Sequence, residues 1–276
     1  MKDLFAYKYM DTPIHNMSGL SKIICFLLIS FAVMFSFDIR FIIFVLLFSV
    51  VVFKMARLRF KQVRLMIFYV FVFVIVNSIL TYIFEPEYGV KIYGTRHELF
   101  KIFGRYTMTS ETMLYLVSKM LKYSAVIPFG IIFFLTTDPS EFASALNGVG
   151  VPYKVAYAVG LTLRYFPDIQ RNYREISQAQ QARGLELSSK GKAMSRLKNS
   201  LLIILPLILS SIDRVESIGN AMDLRGFGKA KKRTWYSKKD LYRTDYIAIF
   251  ISALILIMAL VLIYINGGRF YNIFKG

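Results

Sequence analysis

The sequence predicts an all-α integral membrane protein: about five transmembrane helices, plus a cytoplasmic domain of two long kinked helices and a short one. Three observations carry this expectation. Apolar residues make up 56% of the 276 residues and mean hydropathy is +0.50, above the ~45–50% apolar usage of soluble domains. Leu65–Phe84 and Tyr246–Gly268 are uncharged runs of 20 and 23 residues, and about 20 suffice to span hydrocarbon. Between them, Asp138–Asp245 holds 18 of the 35 basic residues, and its apolar stretches, such as Leu201–Ile212, are too short to cross. The expected division is residues 1–137 for the first four membrane helices, 138–244 for the cytoplasmic domain, and 245–276 for the last membrane helix and tail.

In chain order, Met1–Lys22 is polar and mixed; the first charge-poor run starts after residue 22 and carries no small-residue cleavage site, so no cleavable signal peptide is expected. Ile23–Phe37 and Phe41–Phe53 are uncharged runs of 15 and 13 residues around a turn at Asp38 and Arg40. Each is short for a span, but Lys22, Arg40 and Lys54 can snorkel to the interface, so both are read as membrane helices. Lys54, Arg57, Arg59, Lys61 and Arg64 crowd one short loop, which places that loop, and by parity the amino terminus, in the cytoplasm. Leu65–Phe84 is the third helix. Glu85–Glu111 is a polar connection on the outer side; its Lys91, Arg96, Lys101 and Arg105 run against the positive-inside rule. Thr112–Thr137 is the fourth helix, and its Lys119 and Lys122 are expected at the outer interface or facing protein.

Asp138 before Pro139 is a cap-then-first-residue signal for a short helix ending at Asn147-Gly148. Two long helices follow, about Pro152–Ala182 and Gly191–Leu224, with Pro167 and Pro206 expected to kink them. Both end alike: Ala182-Arg183-Gly184 and Leu224-Arg225-Gly226. A glycine just past a helix adopts the left-handed cap, and an arginine in the last turn complements the helix dipole. One such end needs no further reading. Two, closing similarly built helices, suggest a paired device: arginine's planar fork grips a carboxylate at two points, and small Ala179, Ala182 and Ala221 keep the adjoining faces thin.

These residues carry a resemblance. Ala182-Arg183-Gly184 matches the first Ala-Arg-Gly motif of the T component of energy-coupling factor transporters, the EcfT/CbiQ family. Leu161-Thr162-Leu163-Arg164-Tyr165-Phe166-Pro167 resembles that family's Leu-Arg-aromatic-x-Pro stretch. Leu224-Arg225-Gly226 departs from the second motif by Leu for Ala. Asp11-Thr12-Pro13-Ile14-His15-Asn16-Met17 to Lys22 is similar to the family's lead into its first membrane helix, with Ser18-Gly19 where Asp-Pro is common. The likeness covers most of the chain, most strongly Pro139–Gly228. It implies a non-catalytic scaffold that joins two ATP-binding-cassette ATPase subunits to a small substrate-binding membrane protein, the S component, for vitamin or metal-ion uptake. It further implies that Arg183 and Arg225 each sit in an ATPase groove, that ATP and Mg are held by the ATPases, and that this chain binds no cofactor. Tyr153–Phe166 and Leu201–Ile212 are expected to form the apolar platform for the substrate-binding protein.

Other classes fit less well. The aspartates form no Asp-x-x-x-Asp pair, His15 and His97 lack ligand spacing, and Gly226-Phe227-Gly228 reads as a helix stop rather than a phosphate loop. An intramembrane enzyme is therefore the weakest alternative. The charge of +18 could suggest nucleic acid, but Lys229–Arg233 with Trp235 and Tyr236, just before a membrane helix, fits a basic and aromatic interface anchor. A permease with its own substrate path is the nearer alternative, although only Asn77, Ser78 and Thr81 offer polar lining. With one cysteine, Cys25, no disulfide forms within a chain.

Overall fold

A computed structural model describes residues 11–58, 60–103, 106–185, 193–230 and 234–272. Gly191, the expected start of the second long helix, lies outside them, as do Arg59, Arg105 and residues 231–233. The chain divides into two compact units, Met1–Asp138 with Lys239–Gly276, and Pro139–Lys238.

The first unit begins with capped helices. Thr12 Oγ1 accepts the His15 amide at the start of α1 (Pro13–Asn16). Ser18 Oγ accepts the Ser21 amide at the start of α2 (Gly19–Phe35), and Asp38 Oδ1 accepts the Arg40 amide ahead of α3 (Ile39–Met55). Each satisfies an amide that the helix itself leaves unpaired. α4 (Phe60–Phe84) follows, then α6 (Ser110–Thr136), capped by Thr109, and α10 (Arg243–Ile265). α4 from Val63, α6 and α10 are long and apolar enough to cross a membrane. α2 and α3 are 17 residues each, roughly 25 Å at 1.5 Å per residue. The chain is thus an all-α membrane protein, with α2, α3, α6 and α10 sharing one core of Ile29, Ala32, Val33, Phe41, Ile42, Val45, Ala125, Phe129, Ile255 and Ala259. α4 packs at the side, where Val63 meets Ile131 and Leu135.

Lipid is as apolar as these side chains, so close packing and polar ties decide the register. Lys22, at the start of α2, donates to Thr136 O at 2.8 Å and to His15 O at 3.3 Å. Lys122 donates to Met34 O at 2.8 Å, its ammonium 3.4 Å from the Phe37 ring centroid. Each lysine meets carbonyls in the last turn of the neighbouring helix, the negative end of its dipole. Two ties twelve residues apart on α2 and fourteen apart on α6 fix an antiparallel pair. Lys122 therefore faces protein and does not snorkel. Lys119 likewise donates to Thr81 Oγ1 of α4 at 2.6 Å. Asp245, wholly buried, accepts from Ser18 N at 2.9 Å, from Ser21 Oγ, and from Tyr242 N at 2.8 Å, tying the starts of α10 and α2. Burial beside Lys22 and Lys239 lowers the His15 pKa and keeps that ring neutral.

α6 is ten residues longer than α2, and the turn after α2 is roofed. Phe37 N donates to Arg269 O, and the Phe37 ring stacks on Phe270 at 4.7 Å and on Tyr115 at 6.2 Å. Covering this non-helical backbone with protein is what an apolar surround demands. Asp38 is held beneath by Arg40 and by Asn266 Nδ2 at 2.9 Å. Burial alone would raise its pKa; the hydrogen bonds from Arg40 and Asn266, with the Arg40 charge, outweigh that and hold the carboxyl below its usual range.

Among the described residues, the connection after α4 forms a short helix and a hairpin. α5 (Tyr88–Tyr93) lies backbone-to-backbone on α6: a Cβ at Gly89 would fall 2.4 Å from Thr112 N. An antiparallel hairpin, β1 (Glu98–Phe103) and β2 (Tyr106–Thr109), follows. Lys91 pairs with Glu85, and Arg96 with Glu87 and Glu98.

In the second unit, α7 (Pro139–Gly148) packs on α8 (Tyr153–Ala182), which pairs with α9 (Ala193–Leu224). Helices α8 and α9 run unbroken through Pro167 and Pro206; the prolines lack the amides that Leu163 O and Leu202 O would otherwise accept. Gly160 admits α7 closely, since a Cβ there would sit 2.7 Å from Ala143 Cβ.

Candidate functional site

The two Arg-Gly ends fold into the same device. In α8, Arg183 is the C-cap and Gly184 takes φ 88°; Gly184 N donates to Gln181 O and Leu185 N to Gln180 O, both at 3.0 Å. In α9, Gly226 takes φ 66°; Gly226 N donates to Asp223 O and Phe227 N to Met222 O, both at 2.9 Å. These are two Schellman motifs, matching bond for bond. The left-handed φ is what requires glycine. A Cβ at Gly184 would meet nothing within 4 Å, so here the residue is needed for the turn and leaves the surface beside it open.

The motif sets where each arginine goes. As C-cap, it projects from the negative end of the helix, where a cation is favoured. Arg183 and Arg225 are exposed, as are Ala182, Gly184 and Leu224, with Gly226 half-buried. Leu224 is 90% exposed, so the residue that departs from Ala stands out as an apolar knob. Ala179 and Ala221, one turn earlier, are also exposed.

The antiparallel course of α8 and α9 separates the two ends. Leu161, Tyr165, Ile169 and Asn172 face Met222, Ile218, Val215 and Ser211 across a groove of about 330 Å³. Arg214 bridges it, 3.6 Å from Asp168 and 5.9 Å from the Tyr165 ring centroid. Phe227, just past Gly226, packs on Tyr153 at 5.6 Å and Tyr157 at 4.8 Å, at the start of α8. Arg225 is therefore anchored near the first turns of α8 and Arg183 caps its last. About 25 residues of helix between those levels make roughly 35–40 Å at 1.5 Å per residue.

Residues outside the two motifs hold this arrangement. Trp235 Nε1 donates to Asn147 Oδ1 at 3.0 Å and its ring lies 6.3 Å from Tyr157, while Ser237 Oγ donates to Ser140 O at 3.0 Å. Trp235, expected as an interface anchor, instead fastens the chain after α9 onto α7 and α8; Tyr236 is fully exposed. The sequence signal for Phe227 was its place two residues after the arginine, the hydrophobic position of a Schellman cap. Much of the apolar face remains uncovered: Phe166, Leu201, Leu205, Leu209 and Ile212 are each more than half exposed. No cluster of metal-ligating side chains occurs among the described residues.

A family model described as cobalt transport protein, CbiQ, matches residues 10–236. The energy-coupling factor transporter transmembrane protein EcfT of Exiguobacterium sibiricum is 28% identical over 176 residues, 60% of this chain and 65% of the relative. The EcfT of Leuconostoc gelidum subsp. gasicomitatum is 29% identical over 153 residues (52% and 57%), and that of Macrococcus caseolyticus 24% over 185 (64% and 66%). The matched region thus spans about three-fifths of the length of these curated relatives.

Proposed function

The chain belongs to the cobalt transport protein (CbiQ) family, and we propose that it is the membrane scaffold of an energy-coupling factor transporter. In this role it catalyses nothing itself. Two ATP-binding-cassette subunits dock on its second unit in the cytoplasm, binding the ATP and Mg, and a small substrate-binding protein lies against its apolar surface. Movement of the ATPases passes through α8 and α9 to that protein and releases a vitamin or metal ion inside.

One observation carries this reading: two identically capped arginines stand at opposite ends of one antiparallel helix pair. Placed roughly 35–40 Å apart, they suit two separate acidic sockets rather than one. Arg183 and Arg225 anchor one ATPase each, with Ala182 and Gly184, and Leu224 and Gly226, forming the surfaces that meet the socket walls. Leu201–Ile212 and Tyr153–Phe166 supply the apolar platform, and the continuous helices through Pro167 and Pro206 carry the motion. A permease with its own path has less support, because Thr81 is engaged in helix ties, donating to Asn77 O and accepting from Lys119.

The test is affinity purification of the tagged chain from its host in mild detergent, with mass spectrometry of what accompanies it. Two ATP-binding-cassette proteins and a small membrane protein are expected, and the ligand of the small protein names the substrate. Recovery of the chain without any ATPase, even after crosslinking, overturns the proposal.

A further inference from the structure

The hairpin β1–β2 has no place in the ATPase reading, yet its position is specified. Its base is fixed at the membrane end of α6: Thr109, the last residue of β2, is the N-cap of that helix and pairs with Glu98. The other end of β2 is held at the end of α4, where Tyr106 Oη donates to Ile83 O at 3.3 Å and the Tyr106 ring lies 6.1 Å from Tyr82. α4 ends and α6 begins where the chain leaves the hydrocarbon on one face of the membrane. A ribbon tied at both places lies along that surface instead of projecting from it.

What β1 turns outward is two apolar side chains flanked by the charged Glu98 and Lys101. β2 faces inward, with Thr107 and Thr109 buried, whereas Leu99 and Phe100 of β1 are 53% and 56% exposed. The register slips between Glu98 and Phe100, leaving Leu99 as the extra residue of a bulge, a device that re-aims side chains at a sheet edge. Glu98, which would resist an apolar surround, is paired with Arg96 at 2.9 Å. Exposed Lys101 adjoins Phe100 and can meet lipid phosphate. Phe84, at the end of α4, is 76% exposed and continues the exposed apolar surface of that helix.

We propose that the hairpin is a membrane-interface element: Leu99 and Phe100 enter the boundary between headgroups and acyl chains on the face where α4 ends, with Lys101 at the phosphates. Aromatic and amphipathic segments favour this layer. The occupant of the exposed edge is lipid rather than a partner protein, because it continues the surface of a spanning helix. The inference rests on the membrane spans alone and stands whether or not the arginines bind ATPases.

The test uses the full chain in nanodiscs of phosphatidylcholine and phosphatidylglycerol, carrying Phe100→Trp in a Trp235→Phe background. Blue-shifted emission is expected, quenched several-fold more by lipid brominated high on the acyl chain than by aqueous iodide. Because Trp235 bonds Asn147, a second probe guards against misfolding: a nitroxide on Leu99→Cys with Cys25→Ser, expected to be more accessible to oxygen than to a water-soluble nickel chelate. Preferential quenching by iodide overturns the proposal, and so does shielding from both quenchers, which would mean that protein covers the edge.

Discussion

Arg183→Ala separates what the arginine does for its own helix from what it does for a partner. Within the chain, Arg183 caps α8 through its backbone, and its side chain adds a cation at the dipole's negative end, worth about 0.3–1 kcal/mol at an exposed site. Gly184 and the two 3.0 Å Schellman bonds remain, so the helix end should persist. Across an interface, an arginine hydrogen-bonded to a desolvated carboxylate is a different matter. Removing one partner costs about 2–5 kcal/mol, roughly a 30-fold to several-thousand-fold weaker complex. Arg183→Lys keeps the charge and the dipole term but loses the planar fork, and should sit between. The assay is titration of the purified chain in detergent with the ATPase subunits in the absence of nucleotide, beside thermal unfolding of the chain alone. Binding should fall in the order Arg, Lys, Ala, with little change in melting. Unchanged binding for Arg183→Ala would refute the reasoning, and so would a parallel loss of melting temperature, which would make the arginine structural.

Three further outcomes concern the scaffold. Lys122→Met should lower the melting temperature by the worth of one interhelical hydrogen bond, about 0.6–2 kcal/mol, because the Met34 carbonyl and the Phe37 ring lose their cation; a rise would show that burying the charge outweighs the tie. Gly160→Ala gains about 1 kcal/mol of helix propensity but forces a Cβ to 2.7 Å from Ala143 Cβ, and overpacking costs about 1–3 kcal/mol. Net destabilisation is expected, recovered when Ala143→Gly is added. Asp38 has its pKa lowered by folding, so its stabilisation is complete above the unfolded carboxylate value near 4 and is lost as pH falls through the lower folded value. Melting temperatures between neutral and acidic pH should show this loss in the wild type and a flatter profile in Asp38→Asn.

How far the fold could be read from the sequence depended on whether local chemistry decided it. The spans at Leu65–Phe84 and Tyr246–Gly268 follow from length and the absence of charge alone; the structure extends the first back to Phe60 and shifts the second three residues toward the amino terminus, to Arg243–Ile265, with Asp245 buried in its first turn. The same rule leaves 17-residue α2 and α3 ambiguous, because what completes them is tertiary: the roof of Phe270 and Tyr115 over the turn at Phe37. Lys122 was open between lipid interface and protein for the same reason, since only the antiparallel pairing brings Met34 O to it. The hairpin escaped notice because Leu99 in a bulge breaks the alternation that marks a strand. At the candidate site the signal was local, and the Schellman geometry of Arg183-Gly184 and Arg225-Gly226 follows from sequence. The antiparallel course that sets the arginines far apart does not, because it depends on Phe227 meeting Tyr153 and Tyr157.

That separation makes a stronger claim than either arginine alone. Sites well beyond 10 Å with no shared partner act additively, so Arg183 and Arg225, roughly 35–40 Å apart along α8, should be thermodynamically independent if each holds its own ATPase. With nucleotide present the two ATPases also hold each other, and the subunit whose arginine is lost is retained at a high effective concentration through its neighbour. Arg183→Ala and Arg225→Ala should then look mild when tested singly in ATP. Without nucleotide, each single variant should retain one ATPase per scaffold and the double variant none, with the two free-energy losses summing. Stoichiometry by mass photometry reads this directly. If each single change instead strips both ATPases without nucleotide, and the double variant loses no more than either, the arginines serve one composite socket. The antiparallel spacing would then have been misassigned its role, although the identical caps would remain.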